Sequence, residues 1–385
     1  MADVFECVVG QPKVREFLRA CVSQDRVSHA YLFTGPAGSN KTLAAFAFAR
    51  AILCPHDPCA SCDGCTNGSC SQIMRQVHPD VHYLAPEGAQ GYVVDQIREV
   101  VADSSLAPIQ GKRKVYIIDR VDLLGTSAAN AFLKTLEEPP ADVVLILLGR
   151  TRESVLPTIV SRCQVVPFRH IPPSEAAGIV VQNTGCTLPE ARIAIEASGG
   201  SLSKAAEFLR SSERGQFRGK VLRSLASLVR ADDLDVLEYA SEIVLASKAP
   251  LDAVRREQER VMEERAEFLQ KSALRTLETR HKRALSNASL ELLHQMTSVV
   301  RSWLRDVAAV CAGTPELILN VDAADAIRDA ASYTSLERVW RAYECAEAAD
   351  AAISYNVSPQ TTIEAMLFEI REVLYAQRRP GKADL

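Results

Sequence analysis

The sequence predicts an N-terminal α/β domain built on a parallel sheet, followed by a long region made of helices alone. Three observations support this. An apolar strand runs into a glycine-rich turn and a helix over residues 27–53, apolar strands then alternate with helices up to Phe168, and only helical periodicity follows. Strands that are apolar along their whole length are typical of parallel sheets with helices on both faces.

Each element of the first domain follows from its own pattern. The segment VSHAYLFTGP (27–36) is a strand entering a turn, and KTLAAFAFARAIL (41–53) has apolar residues at helical spacing. Later segments predict strands at VHYLAPEG (81–88), KVYIID (114–119) and VVLILLG (143–149), and helices at VVDQIREVVADSSL (93–106) and SAANAFLKTLEEPP (127–140). The last helix is ended by its two prolines.

The residues after the α/β domain, which we assign to 1–170, divide into two helical parts. A small helical domain covers 171–212 and is interrupted by Gly199 and Gly200, and an all-helical domain covers 213–385. The larger part contains broad apolar faces such as LELLHQMTSVVRSWL (290–304). Because these faces exceed what one helix pair needs to bury, they predict a role in oligomerisation.

The gross composition describes an ordinary globular protein. Hydrophobic residues make up 47% of the 385 and charged residues 24%, and the net charge of -4 gives no global attraction to nucleic acid. The N-terminus, MADVFECVVGQPKV, lacks the basic and apolar regions of a signal peptide. We find no run of about 18 apolar residues that would span a membrane. A cytoplasmic protein is expected.

A phosphate-binding loop is predicted at Gly35-Pro36-Ala37-Gly38-Ser39-Asn40-Lys41-Thr42. Such a loop directs backbone N–H groups at phosphates, while its lysine reaches the β- and γ-phosphates and its hydroxyl holds Mg²⁺. Asn40 stands where the motif has its last glycine. Asparagine tolerates the left-handed conformation, but its side chain crowds the phosphates. Two interpretations stay open, a loop that binds ATP with Mg²⁺ and a vestigial connection.

The acidic position after the third predicted strand is also altered. Asp119 can coordinate Mg²⁺, but Arg120 follows it where a hydrolysing enzyme carries a second acid. A guanidinium does not deprotonate, so it cannot polarise an attacking water. Asp122 is three positions on and is expected to point elsewhere. These features predict no independent ATP hydrolysis.

Five of the eleven cysteines fall in one short window, at Cys54, Cys59, Cys62, Cys65 and Cys70. Four thiolates make a closed tetrahedral zinc site, and a CxxCxxC run with a further cysteine nearby favours structural zinc over free thiols. Spacing favours the first four as ligands, with Cys70 as the substitute.

Arg162, in Ser161-Arg162-Cys163, is the candidate functional arginine. It lies after the last predicted strand. Supplied to a neighbouring subunit, an arginine finger stabilises the charge that develops during phosphoryl transfer. A chain that keeps this residue but lacks its own second acid is suited to serving a neighbour's nucleotide site.

These motifs together resemble the clamp-loader family of AAA+ proteins. They are VGQPKV, SHAYLFTGPAGSNKT, the cysteine segment, HPDV, VDQIREV, KVYIIDRVDLL, ANAFLKTLEEPP and TIVSRC, in family order over most of residues 8–170. WLRDV (303–307) and NVSPQTTIEAML (356–367) resemble the family more weakly.

The resemblance implies an AAA+ domain, a helical lid and a helical collar, in a ring-like pentamer that loads the sliding clamp onto primed DNA. Its partners would be gamma/tau-type motors and the delta subunit of DNA polymerase III. It also places the sensor-1 threonine at Thr151. The sensor-2 arginine is missing from Gly200-Ser201-Leu202-Ser203-Lys204-Ala205. This third departure favours a non-hydrolysing subunit.

Two alternatives are weighed against this interpretation. The first is an ATP-hydrolysing gamma/tau-type motor, which Asn40 and Arg120 disfavour. The second is a zinc-dependent nucleic-acid-binding module with a decayed phosphate loop. The segment CPHDPCASCDGCTNGSC (54–70) contains no lysine or arginine, which disfavours nucleic-acid contact there.

Overall fold

The computed structural model describes residues 4–54, 68–86, 91–266, 271–353 and 358–375. Clustering of the chain gives two compact units, Met1–Ile179 and Val180–Leu385. The division into three domains near residues 170 and 212 stays a prediction. In the parts that are described, no helix is both long and apolar enough to cross a membrane.

Among the described residues, the first unit holds a five-stranded parallel sheet in the order β2-β3-β4-β1-β5. The strands are β1 (Ala30–Thr34), β2 (Val81–Leu84), β3 (Lys114–Ile118), β4 (Val143–Gly149) and β5 (Gln164–Pro167). The helices are α1 (Pro12–Ser23), α2 (Lys41–Leu53), α3 (Ser69–Met74), α4 (Val94–Ser104), α5 (Thr126–Glu137) and α6 (Pro157–Val160), and α7 (Pro173–Thr184) continues into the second unit.

The predicted α/β class, with a parallel sheet and a helical remainder, is confirmed. Strands β1, β3 and β4 are buried at every residue, as their continuous apolar patterns predict. Side chains of β3 alternate between the two faces, with Val115 and Ile117 in the core beside α1 and α2. Tyr116 and Ile118 lie in the opposite core, beside α4 and α5.

Strand β5 was not predicted from the sequence. It pairs with β1 at the edge of the sheet, and Val166 is its one buried residue. An edge strand that is exposed on most of its length lacks the apolar run that identifies a central strand.

A buried carboxylate holds the connection between α4 and β3. Asp80 is fully buried and accepts hydrogen bonds from the backbone N–H groups of Ile109, Gln110 and Gly111 at 2.6, 2.7 and 2.7 Å. Burial alone would raise the pKa of Asp80, but these three amides outweigh it and lower the pKa below the ordinary value. Asp80 is the aspartate of the HPDV segment, so the loop that it fixes is set by tertiary contact.

The second unit is helical throughout its described residues. Its helices are α8 (Leu188–Ala197), α9 (Leu202–Arg210), α10 (Ser212–Ser227), α11 (Asp233–Ala246), α12 (Lys248–Ala266), α13 (Lys271–Cys311), α14 (Ala324–Ala331), α15 (Leu336–Ile353) and α16 (Pro359–Tyr375). Gly199 and Gly200 separate α8 from α9 with φ angles of 58° and 83°, left-handed values that glycine adopts without strain.

The apolar face of α13 is buried inside its own unit. Eight of its apolar side chains are at most 4% exposed: Leu292, Leu293, Met296, Val299, Val300, Trp303, Leu304 and Val307. Helices α10, α14 and α15 pack against α13. The face is broader than one helix pair needs, as predicted, but several helices of the same unit cover it, so a role in oligomerisation stays a prediction.

Candidate nucleotide and arginine-finger sites

The predicted phosphate loop, Asp119 and Thr151 meet at one edge of the sheet. They follow β1, β3 and β4, which are adjacent and parallel, so their carboxyl ends share this edge. The Gly35 N–H donates to the carbonyls of Gly149 and Arg150, at 3.3 and 3.0 Å, which ties the loop to the end of β4.

Three positions of the loop suit only certain residue types, because of limited space or a left-handed backbone. At Gly35, a Cβ atom would lie 2.7 Å from the Phe168 carbonyl oxygen, so only glycine fits. Gly38 and Asn40 have φ angles of 77° and 66°. Asn40 thus adopts the left-handed conformation that the missing glycine would take, and its Nδ2 donates to the Val9 carbonyl at 3.0 Å.

Lys41 begins α2, and its ammonium is turned onto its own loop. Its Nζ lies 2.5 Å from the Gly35 carbonyl oxygen, 2.7 Å from that of Pro36 and 3.2 Å from Ser39 Oγ. An ammonium has three N–H donors, so these contacts occupy all of them. Phosphate could be bound only if the loop contacts were exchanged. Thr42 follows as the second residue of the helix, in the place that the motif requires.

The charges around Lys41 include two that sequence reasoning missed. Burial lowers the pKa of Lys41, the carboxylates of Asp119 and Asp122 oppose that effect, and Arg150 adds to it. Asp122 lies near enough for its charge to act on Lys41, and the expectation that its side chain points elsewhere stays a prediction. The position of Arg150 directly after β4 could have identified it as a charge near the phosphate loop.

Both carboxylate oxygens of Asp119 are already hydrogen-bonded. Tyr83 Oη donates to Oδ2 at 2.8 Å, and the backbone N–H of Arg120 donates to Oδ1 at 2.9 Å. Arg120 has a φ of 50° and an exposed side chain. Arg120 therefore puts a positive charge where a hydrolysing enzyme has its second acid. Asp119 would have to lose its hydrogen bonds from Tyr83 and from the Arg120 N–H to bind Mg²⁺ directly.

Thr151 lies at the end of β4, as expected, but its hydroxyl is engaged locally. It accepts a hydrogen bond from the Ser154 N–H at 3.1 Å, and Ser154 Oγ donates to the Thr151 carbonyl at 2.9 Å. A sensor role for Thr151 stays a prediction, and a hydroxyl that accepts in this turn still has its O–H to donate.

Gln11 is a site residue whose role the sequence did not reveal. It is 3% exposed, and its Nε2 donates to the carbonyls of Ser39 and Arg169 at 3.1 and 2.8 Å. Its Oε1 accepts from the Arg169 N–H at 3.1 Å. One side chain therefore connects the phosphate loop to the segment after β5, 158 residues away from Gln11.

Arg162 lies at the other end of the strands, where they begin, and not at the end that carries the phosphate loop. It precedes β5, and it lines a groove of about 510 Å³ together with His29, the residue before β1. Parallel strands β1 and β5 both begin at this edge. Five residues of β1 at about 3.3 Å each put the groove about 16 Å from the chain's own phosphate loop. The neighbouring Cys163 is half-buried, and burial raises its pKa to about 12.

The predicted zinc site lies mostly outside the described residues, where Cys59, Cys62 and Cys65 fall. Cys54 directly follows α2, and the buried Cys70 lies in the first turn of α3. These two helices pack against each other. Within the described ranges, no group of three or more histidine, cysteine or acidic side chains could hold a metal ion.

Comparison with known proteins finds similarity to subunits of DNA polymerase III. Residues 10–172 match the family model described as "DNA polymerase III, delta subunit". The tau subunit of Bacillus subtilis DNA polymerase III is 41% identical over 174 residues, which are 43% of this chain and 29% of tau. The delta' subunit of the same organism is 32% identical over 213 residues, 55% of this chain and 63% of delta'. Over this part of its length, the chain is similar to the delta' and tau subunits of DNA polymerase III.

The similarity does not single out one kind of subunit, because delta' and tau are both among the relatives. The chain spans less than two thirds of the length of either. Among solved structures, a gamma subunit-related protein of Thermotoga maritima aligns over 93% of this chain and 98% of its own, with a TM-score of 0.48 at 19% identity.

Proposed function

We propose that the chain is a delta-prime-type clamp-loader subunit. It does not hydrolyse ATP itself, and it supplies Arg162 to the ATP site of a neighbouring motor. In this role it assembles in the cytoplasm with gamma/tau-type motors and the delta subunit, through its helical collar, and helps to load the sliding clamp onto primed DNA during replication.

The observation that carries the proposal is Arg120 at the end of β3. The edge of the sheet where an ATPase activates water here presents a guanidinium beside a hydrogen-bonded Asp119. Hydrolysis needs a group that orients the attacking water, and an arginine cannot act as a base. The engaged ammonium of Lys41 agrees with this interpretation.

The position of Arg162 supports action on a neighbour. A guanidinium about 16 Å from its own phosphate loop is too far away to contact a nucleotide held there. Its side chain is 32% exposed, so a second subunit can reach it. An arginine finger given in trans contributes about 10³–10⁵ in rate at the site that it completes.

The test is the ATPase rate of reconstituted complexes, stimulated by clamp and primed DNA. Arg162→Ala should leave assembly intact and lower the rate, and Arg162→Lys should rescue it incompletely because an ammonium lacks the planar fork. Arg98→Ala is the matched control, since Arg98 is also exposed and paired with a carboxylate. Equal rates for the wild-type and Arg162→Ala complexes at equal assembly would overturn the proposal.

A second candidate is the ATP-hydrolysing motor itself, which the 41% identity to a tau subunit favours. The isolated chain distinguishes the two. Steady ATP turnover that Lys41→Ala abolishes would identify a motor, whereas the delta-prime-type function predicts negligible turnover.

We also propose a structural zinc ion held by four of the five clustered cysteines. Thiolates are its preferred ligands, and Cys54 directly follows α2 and Cys70 lies in α3, two helices that pack together. When bound, zinc would cross-link the ends of the segment between α2 and α3 and take no part in chemistry.

A further inference from the structure

The guanidinium of Arg162 is held by Glu137, the last residue of α5. Arg162 Nε donates to Glu137 Oε1 at 2.8 Å, and Nη2 donates to the same oxygen. On the other side, Nη1 donates to the Thr158 carbonyl at 2.9 Å and to Ser161 Oγ at 3.1 Å. These contacts, all within the described residues, use four of the five N–H donors that a guanidinium has.

The contacts fold the side chain back onto its own subunit. The carboxylate lies at the C-terminus of α5, and the Thr158 carbonyl belongs to the last turn of α6. The Glu137 carboxylate and the Thr158 carbonyl therefore both attract the cation. A phosphate bound in fork geometry needs two N–H donors that point at it, and this arrangement leaves one.

We propose that Glu137 is a latch for the arginine finger. It neutralises and holds Arg162 while no phosphate is near, and it must release the guanidinium before Arg162 can act on a neighbour's nucleotide. Glu137 is thus a positioning residue that acts through Arg162. This inference rests on the proposed function of Arg162.

The charge of Glu137 and the exposure of the pair favour an ion pair that breaks before catalysis over one that stays intact during it. If Glu137 remained on the guanidinium, its negative charge would oppose the transferring phosphate and cancel much of the attraction. The pair is partly exposed, with 32% of the Arg162 side chain and 48% of the Glu137 side chain accessible. Partly exposed pairs are weak, so a phosphate of higher charge can displace the carboxylate.

The decisive experiment compares Glu137→Gln and Glu137→Ala with wild type in the reconstituted complex. Glutamine keeps the shape and removes the charge, and alanine removes the acceptor. Releasing a weak ion pair should raise kcat at the affected site about two- to fivefold. The KM for ATP should not change, because an arginine finger acts on charge that develops in the transition state.

Two control arms separate the latch from other roles. Glu138→Gln changes the next exposed acid and should leave the rate unchanged. In the Arg162→Ala background, the Glu137 substitutions should have no effect, because the group that they release is absent. Assembly is checked for every complex by size-exclusion chromatography.

Each outcome decides between the ideas. A lowered or unchanged kcat in both Glu137 variants, with Arg162→Ala still slowing hydrolysis, overturns the latch and leaves the finger intact. A rise that persists in the Arg162→Ala background also overturns it, because Glu137 would then act elsewhere. If Arg162→Ala itself has no effect, the proposed function fails and the latch fails with it.

Discussion

Replacing Asp80 removes a side chain that fixes the loop between α4 and β3 through three hydrogen bonds. Its carboxylate accepts three backbone N–H bonds at 2.6–2.7 Å and is fully buried. In Asp80→Ala the three amides lose their acceptor, at about 1–3 kcal/mol for each donor that water cannot reach. Ile109 and Gln110 are exposed residues, so water replaces part of the loss. We expect a net destabilisation of about 2–4 kcal/mol for alanine.

Asp80→Asn should cost less, about 1–3 kcal/mol, because one amide oxygen still accepts while its NH₂ group faces donors. This variant also tests the pH dependence. The folded-state pKa of Asp80 is lowered from 3.8, so its contribution is present above pH 3.8 and is lost as the pH falls through the folded value. The asparagine variant should therefore lose less stability than wild type between pH 4 and the lower folded pKa.

The assay combines urea unfolding, followed by circular dichroism, with hydrogen–deuterium exchange of the peptide covering residues 105–113. Exchange reports the loop directly, which matters because two units need not unfold in one transition. Asp142→Asn is the control, since Asp142 is exposed and should change stability by less than about 0.5 kcal/mol. Wild-type protection of the loop amides in Asp80→Ala would refute the reasoning.

Three further predictions concern the other candidate sites. Asn40→Gly should tighten binding of a fluorescent ATP analogue, because it removes the side chain held by the Val9 carbonyl; unchanged affinity would count against crowding by Asn40. Elemental analysis of protein purified without chelator should find about one equivalent of zinc, and its absence would exclude the site. Asp306→Ala should lower Tm by about 6 °C or more, because the fully buried carboxylate accepts from the backbone N–H groups of Leu319 and Asn320. A smaller drop in Tm would show that water replaces the lost carboxylate as hydrogen-bond acceptor.

The sequence predicted those parts of the fold that local pattern determines. Strand β4 has an apolar residue at almost every position, and burial on both faces follows from the pattern alone. Lys114 shows the limit of that reasoning. It begins β3 as a charged residue, yet it is 2% exposed, because its Nζ donates to the carbonyl and carboxylate of Asp103 on α4. A partner supplied by another element leaves no signal in a strand pattern.

The candidate sites also combine features that local sequence predicts with contacts that come from distant parts of the chain. The spacing of the phosphate loop placed Lys41 and Asn40 correctly, because the loop is one continuous segment. Its closure by Gln11 depends on Arg169, which lies 158 residues further along the chain. The carboxylate partner of Arg162 is 25 residues away on another helix. Contacts of this kind follow from sheet topology, which a motif does not encode.

The sheet topology separates the two candidate sites, the phosphate loop and Arg162. The phosphate loop follows β1 and Arg162 precedes β5, and since these strands are parallel neighbours the two sites lie at opposite edges. The two ends of the sheet are about 16 Å apart along β1. A side chain at one end, such as Arg120, therefore does not contact the groups around Arg162 at the other end. The proposed function needs this separation, because it assigns no ATP hydrolysis to the chain's own nucleotide site and a finger, held by Glu137, to the other end of the sheet.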